Sequence, residues 1–169
     1  MFTACSDDPE DETEEELITT VEYTLTPNDG SAQVSMVFRD TDGDGTPEEL
    51  TTTGQIMAGV SYAGAIEFWN EVEDPAERVT EEIEEEDDEH QVFFETTLAG
   101  LSVAYNDTDD NGLPVGLSTT LTADTPGEGD LRITLRHEPE KTADGVQNGD
   151  ISNAGGETDI EVTFTFEVI

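Results

Sequence analysis

The sequence has 169 residues, of which 33% are hydrophobic, and it carries 43 acidic residues against five lysines and arginines, which gives a formal net charge of −38. This charge repels phosphate backbones and anionic lipid surfaces, so it argues against nucleic acid as a partner and against direct membrane binding, and leaves cations and basic proteins. A lysine-poor acidic surface also suits a salt-rich habitat, because about 1 M salt shortens the Debye length to about 3 Å and screens the repulsion.

The N-terminal residues predict a lipid anchor. The only cysteine, Cys5, follows Phe2-Thr3-Ala4, which resembles the end of a bacterial lipoprotein signal. The alternative is a free cysteine in a frayed tail. Residues 6–16 are mostly acidic and cannot bury apolar surface. We therefore interpret residues 1–16 as a signal remnant and disordered acidic tether, and residues 17–169 as a single domain. No apolar run approaches the about 18 residues of a membrane span, so membrane contact would go through the lipid only.

From Ile18 onward, apolar and polar residues alternate as they do in half-buried strands. Val21, Tyr23 and Leu25 form the first apolar face. Similar patterns bounded by turn residues predict strands at 33–39, 50–53, 61–72, 91–96, 101–105, 116–123, 131–137 and 160–168. Strand and helix do not alternate regularly, which disfavours a parallel sheet. The sequence therefore predicts an all-β fold, an antiparallel β-sandwich (Ig-like or similar) of eight or nine strands.

One helix is expected between the strands. Asp74 and Pro75 are typical of an N-cap followed by a first-turn proline, and Val79 and Ile83 are spaced four residues apart. These features predict a short acidic helix over residues 76–88.

Two loops carry oxygen-bearing side chains at alternate positions, followed by a glycine. These side chains are Asp40, Asp42 and Asp44 in the first loop and Asp107, Asp109 and Asn111 in the second. Oxygens in this spacing can converge on one calcium ion. The glutamate of a complete motif is absent at the twelfth position, although Glu48 can partly substitute in the first loop. We predict weak structural calcium sites. The alternative is ordinary turn chemistry, which uses the same residue types.

Both histidines occur beside carboxylates at strand ends. His90 closes an acidic run, and His137 is followed by Glu138. Strand ends of a sandwich can lie on one rim, where two imidazoles and a carboxylate would suit zinc or copper. We predict that His90, His137 and Glu138 bind such a metal. The alternatives are ordinary surface histidines, or axial ligation of a haem, for which no apolar binding motif is present.

The sequence offers little support for catalysis. It contains neither a Gly-x-Ser-x-Gly elbow nor a phosphate-binding glycine loop, and Cys5 stands in a predicted flexible tail. We therefore expect that the protein is not an enzyme.

Four segments of the domain resemble a family of Bacteroidota-type surface lipoproteins. They are Phe38-Arg-Asp-Thr-Asp-Gly-Asp-Gly45, Glu89-His-Gln-Val-Phe-Phe94, Leu135-Arg-His-Glu-Pro139 and Asn153-Ala-Gly-Gly-Glu-Thr-Asp-Ile-Glu-Val162. Such proteins are sometimes labelled as having a type 1 periplasmic binding fold, but that fold needs repeated βα units, and the alternating strands favour the sandwich. The resemblance implies an accessory of a TonB-dependent receptor, lipid-anchored on the outer membrane and exposed at the cell surface.

These observations lead to two hypotheses. In the first, the protein is a non-catalytic surface lipoprotein that captures a cation or metal complex for an outer-membrane receptor. In the second, it is a structural or adhesive module whose acidic surface is adapted to salt and binds no specific ligand.

Overall fold

The computed structural model describes residues 17–169, so the predicted lipid anchor at Cys5 and the predicted tether of residues 1–16 lie outside the described residues. This part of the chain contains nine strands and one α-helix, α1 (Thr80–Glu85). The strands are β1 (Thr20–Pro27), β2 (Val34–Arg39), β3 (Glu49–Thr53), β4 (Ser61–Trp69), β5 (His90–Thr96), β6 (Leu101–Tyr105), β7 (Ser118–Ala123), β8 (Gly127–His137) and β9 (Glu157–Val168). No helix within residues 17–169 is long and apolar enough to cross a membrane.

The strands of residues 17–169 form two antiparallel sheets that pack as a sandwich. The large sheet has the order β3-β2-β1-β4-β7-β6, and the small sheet has the order β5-β8-β9. All strand pairs within these sheets are antiparallel. The predicted all-β antiparallel sandwich is therefore confirmed, and residues 17–169 do not contain the repeated βα units of a periplasmic binding fold.

The core lies between the inner faces of the two sheets. Its members include Val21 and Leu25 of β1, together with Leu131 and Leu135 of β8, and these four side chains are fully buried. They occupy alternate positions because successive side chains of a strand point to opposite faces. Full burial of each such side chain stabilises the fold by roughly 1.5–3 kcal/mol.

Tyr23 makes a polar contact inside this core. Its hydroxyl group lies 2.8 Å from Thr119 Oγ1, and its ring packs against Phe94 of the small sheet at 5.4 Å between centroids. Gly64 makes room for the hydroxyl, since a Cβ at that position would lie 2.5 Å from Tyr23 Oη. Burial raises the pKa of Tyr23 to about 12, and the Thr119 bond offsets only part of that rise.

The helix is shorter than predicted. It begins at Thr80, and Asp74 and Pro75 lie upstream in a turn with a cis peptide bond, so the prediction of an N-cap at Asp74 is wrong. Between Pro75 and Thr80, Glu77 pairs with Asn70 and extends the large sheet beyond the end of β4. The helix starts only where the Thr80 hydroxyl accepts the Phe68 backbone N–H at 2.8 Å. Pairing with the sheet therefore overrides the local signal for a helix start.

A long connection between β8 and β9 covers part of the outer face of the small sheet. It contains two 3₁₀ helices, Val146–Asn148 and Ile151–Asn153. Phe93 of β5 is buried against Val146 and Ala154 of this connection. Consequently β5 is buried on both faces at its start, and the connection is fixed beside the end of the strand that carries His90.

Candidate metal centre

The two histidines are neighbours at one end of the small sheet. His90 is the first residue of β5 and stands directly opposite His137, the last residue of β8. Their rings stack with centroids 4.7 Å apart and planes inclined by 19°. Axial ligation of a haem would require the two imidazoles to point toward each other from opposite faces of the cofactor, which a stacked pair does not do.

His90 is the inner member of this pair. It is fully buried, and its Nδ1 lies 3.1 Å from the carbonyl oxygen of Glu86, just after α1. Burial lowers the pKa of His90, the Glu86 carbonyl raises it in part, and the neighbouring His137 lowers it further. A lowered pKa means that the neutral imidazole is the favoured form at neutral pH.

Glu138 departs from strand geometry directly after β8. Its φ is +49°, and its backbone N–H donates to the carbonyl oxygen of Glu89 at 2.6 Å. Gly156 packs against this bend, where a Cβ would lie 2.2 Å from the carbonyl oxygen of His137. In an extended strand, residues 137 and 138 would point to opposite faces. The left-handed backbone at Glu138 breaks that alternation, and such strain is typical of functional positions.

The side chains of Glu89, His137 and Glu138 converge as a result. One potential ligand atom from each lies within 4.8 Å of the others, and His137 Nε2 is 3.7 Å from Glu89 Oε2. The His137 side chain is 13% exposed and that of Glu89 is 51% exposed, so the group opens to solvent. We refer to these three residues as the rim triad.

The rim triad has the chemistry of a transition-metal site. One imidazole and two carboxylates are ligands that zinc and copper accept. Bonds of about 2 Å in tetrahedral geometry place ligand atoms about 3.3 Å apart. The separations, which are all within 4.8 Å, therefore need to close by at most about 1.5 Å. Both glutamates are exposed, and rotation of their side chains can supply that movement.

The structure therefore brings together two of the three predicted metal ligands, His137 and Glu138. His90 lies beside them, but it is not in the converging group. Glu89 was missed because it is one acid in a continuous acidic run. The pairing of β5 with β8 could have indicated it, since a register that places His90 opposite His137 also places residue 89 beside residue 138.

The first aspartate loop also gathers its carboxylates. Asp40, Asp42 and Asp44 each have an oxygen within 4.8 Å of the others. The same side chains accept backbone N–H groups of their own loop; Gly43 and Gly45, for example, both donate to Asp40. These bonds are ordinary turn chemistry, and they leave the loop open to either interpretation.

Glu48 does not join this group. Its two carboxylate oxygens accept the backbone N–H of Thr41 at 2.9 Å and the Thr41 hydroxyl at 2.8 Å. These two bonds lower the pKa of Glu48. The side chain therefore closes the loop by holding Thr41.

The second aspartate loop is organised differently. Asp107 accepts backbone N–H groups of Gly116 and Ser118, whereas Asp109 accepts those of Asn111 and Leu113. Within residues 17–169, the side chains of Asp107, Asp109 and Asn111 do not form a converging group.

Asp109 instead pairs with the only lysine of the sequence. Lys141 Nζ lies 3.1 Å from Asp109 Oδ2, and it also donates to the carbonyl oxygen of Asp87. The two side chains are 3% and 1% exposed. The ammonium group therefore stands beside the carboxylate that was predicted to bind calcium.

No family model, no curated protein and no solved structure shows a significant similarity to this chain.

Proposed function

We propose that this protein captures a divalent transition-metal ion, zinc or copper, at the rim triad. The observation that carries the proposal is the convergence of Glu89, His137 and Glu138 where the paired strands β5 and β8 meet at one end of the small sheet. A strained backbone at Glu138 supports it, because that strain aims one of the carboxylates. The proposed role is capture without catalysis.

His90 has a supporting role in this proposal. Its buried ring stacks on His137 and is itself tied to the Glu86 carbonyl. A hydrogen bond to the second nitrogen of a metal-binding imidazole orients that ring, and its loss typically weakens metal binding 10- to 100-fold. We propose that stacking on His90 orients the His137 ring in a similar way. His90 thus holds the ligand ring in place.

The cellular setting is part of the proposal. A lipid on Cys5 would anchor the domain to the bacterial outer membrane, and we propose a TonB-dependent receptor as its partner there, in line with the resemblance to surface lipoproteins. An ion held by exposed carboxylates can be passed on, because its remaining coordination positions face solvent. We also propose that the first aspartate loop binds calcium weakly and thereby stiffens the end of β2.

Metal analysis of protein purified without a histidine tag tests the capture role. We expect stoichiometric zinc or copper in the wild-type protein, and its loss in His137→Ala and Glu138→Gln. Glu128→Gln is a matched control, because Glu128 is an exposed acid on the same strand, about 30 Å from His137 at about 3.4 Å per residue. Titration calorimetry with zinc should show the same ranking.

The alternative is a structural or adhesive module with no specific ligand. Protein that takes up neither zinc nor copper, with a stability unchanged by either metal, would favour this alternative. A melting temperature that rises steeply with sodium chloride would then point to salt adaptation as the purpose of the acidic surface, because screening relieves repulsion among like charges. A melting temperature that is flat across the salt series would reject salt adaptation.

A further inference from the structure

The surroundings of the rim triad are dominated by negative charge. The segment from α1 to β5 is a continuous acidic run that ends at Glu89. Glu140 follows Glu138 in the chain, and Glu157 stands opposite His137 in the pairing of β8 with β9. Acidic residues therefore adjoin the triad in the segment before β5, in the chain after Glu138 and on the neighbouring strand β9.

The basic residues offset only part of this charge, because they are few and each is engaged in contacts of its own. Arg39, Arg78 and Arg132 form ion pairs with glutamates elsewhere on the two sheets and on α1. Lys141 is buried, and its ammonium group is held by Asp109 and by the carbonyl oxygen of Asp87 in the acidic run. Arg136 is next to His137 in sequence, and its guanidinium donates to the carbonyl oxygen of Gly156, which packs against the bend at Glu138. It is one positive charge among the many carboxylates of this region.

This charge distribution has opposite effects on a free metal ion and on a metal ion held in an anionic chelate. An aquated divalent cation is attracted to the rim, and clefts lined by one sign of charge typically raise the association rate of an oppositely charged ligand by 10- to 1,000-fold. A metal held in an anionic chelate, such as a citrate or another polycarboxylate complex, is repelled by the same field. Such a chelate would also need a positively charged side chain for its own carboxylates.

We infer that the substrate of the rim triad is the free, aquated dication and that anionic metal chelates are rejected. The inference rests on the proposed function, because it concerns the same three ligands. It also implies that the metal ion must dissociate from any anionic carrier before it binds to the protein.

Equilibrium dialysis with two probes tests this inference on the full protein without a histidine tag. The first probe is zinc ion alone, and the second is zinc with excess radiolabelled citrate, so that bound zinc and bound citrate are counted separately. We expect one bound zinc per protein from the first probe. From the second, we expect at least about tenfold less bound zinc and no bound citrate.

The salt dependence of binding is a second test, because the affinities for the free dication and for an anionic chelate should change in opposite directions. Raising sodium chloride from about 0.05 to about 1 M should weaken binding of the free dication, because screening reduces its attraction to the acidic rim. Binding of an anionic chelate would strengthen over the same range, because screening reduces its repulsion.

Two triple variants, each of which removes three negative charges, test whether the acids near the rim triad speed up metal binding. Glu85→Gln, Asp88→Asn and Glu140→Gln together neutralise exposed acids near the triad that are not its members. Asp124→Asn, Glu128→Gln and Glu167→Gln together neutralise exposed acids elsewhere. At low salt we expect the rim variant to bind zinc roughly tenfold more slowly than the distant variant, with the difference vanishing near 1 M salt.

The outcomes separate this inference from the proposed function. Zinc and citrate bound together in equal amounts, or zinc binding that strengthens with salt, would overturn the inference and leave the metal site standing. Absence of bound zinc with either probe would overturn the proposed function itself. Equal association rates for the two triple variants would also count against the inference.

Discussion

The imidazole ring of His90 stacks on that of His137 at 4.7 Å, and only His137 belongs to the converging group of ligand atoms. A buried ring thus supports a more exposed one across a pair of antiparallel strands. The two adjacent histidines differ in solvent access, and this difference is the basis for the separate roles that we propose for them.

Replacement of His90 separates a supporting role from a ligand role. His90→Phe retains a flat ring against His137 and removes the nitrogen atoms, so we expect zinc affinity within about threefold of the wild type. His90→Ala removes the ring, and we expect affinity to fall about tenfold or more because the ligand ring loses its support. Calorimetric titration with zinc measures both.

His137→Ala is the reference for loss of a direct ligand in that experiment. If His90→Phe abolishes zinc binding as completely as His137→Ala, then His90 is itself a ligand and the supporting role is wrong. Circular dichroism of the three variants checks that each remains folded.

Replacement of Glu138 by glycine should raise stability and remove metal binding. The φ of +49° is strained for any residue with a Cβ, and its relief by glycine stabilises the fold by about 1 kcal/mol. For a domain of this size, that corresponds to a rise of roughly 2–4 °C in melting temperature. Thermal unfolding of metal-free protein and a zinc titration measure the two effects.

Glu138→Gln is the matched control, because it keeps the strained backbone and removes the charge. We expect its melting temperature to stay near that of the metal-free wild type while zinc binding weakens. If the glycine variant is less stable than the wild type, the left-handed backbone at Glu138 does not strain the folded protein.

Much of the fold could be predicted from the sequence, because alternation of apolar and polar residues reports directly on a two-layer β fold. The predicted and observed bounds coincide for β6, Leu101–Tyr105. The start of β8 was missed, since Gly127 and Gly129 read as turn residues. In the structure these glycines lie under Leu98, where a Cβ would come within 2.8 Å of its side chain. A local pattern does not report such a long-range contact.

The candidate site was harder to predict for the same reason. His137 and Glu138 are conspicuous in sequence, whereas Glu89 becomes a candidate only when strand register is known. The left-handed bend at Glu138 depends on Gly156, which is distant in sequence. The aspartate loops remained ambiguous because the residues that suit calcium are also those that close turns.

The two aspartate loops should respond differently to calcium. Asp42→Asn keeps an oxygen that can accept the Asp44 N–H and removes a charge, so it tests calcium binding without breaking the turn. We expect calcium to stabilise the wild-type protein, and this effect to disappear in Asp42→Asn. In the second loop, Asp107→Asn should leave the calcium response unchanged, because Asp107 does not converge with the neighbouring ligand candidates.

Melting temperature with and without millimolar calcium measures both variants. A calcium response that is lost in Asp107→Asn and kept in Asp42→Asn would reverse the assignment. Absence of any response in the wild type would leave turn formation as the role of both loops.

The buried pair of Asp109 and Lys141 should make stability depend on pH below about pH 4. Burial by itself would raise the pKa of Asp109, but the Leu113 N–H and Lys141 outweigh it, and the pKa lies below the usual value of about 3.9. Folding therefore favours the ionised carboxylate. Its contribution is complete above about pH 4 and is lost as pH falls through the lower pKa of the folded state.

Asp109→Asn should remove this contribution. At pH 7 we expect the variant to be less stable by about 3 kcal/mol or more, because the ammonium group of Lys141 stays buried without its charge partner. Below about pH 4 the wild type should lose stability more steeply than the variant, so the two curves converge. Urea unfolding between pH 7 and about pH 2.5 measures both curves, with the exposed Asp124→Asn as control. Parallel curves for the wild type and Asp109→Asn would show that this carboxylate does not couple protonation to folding.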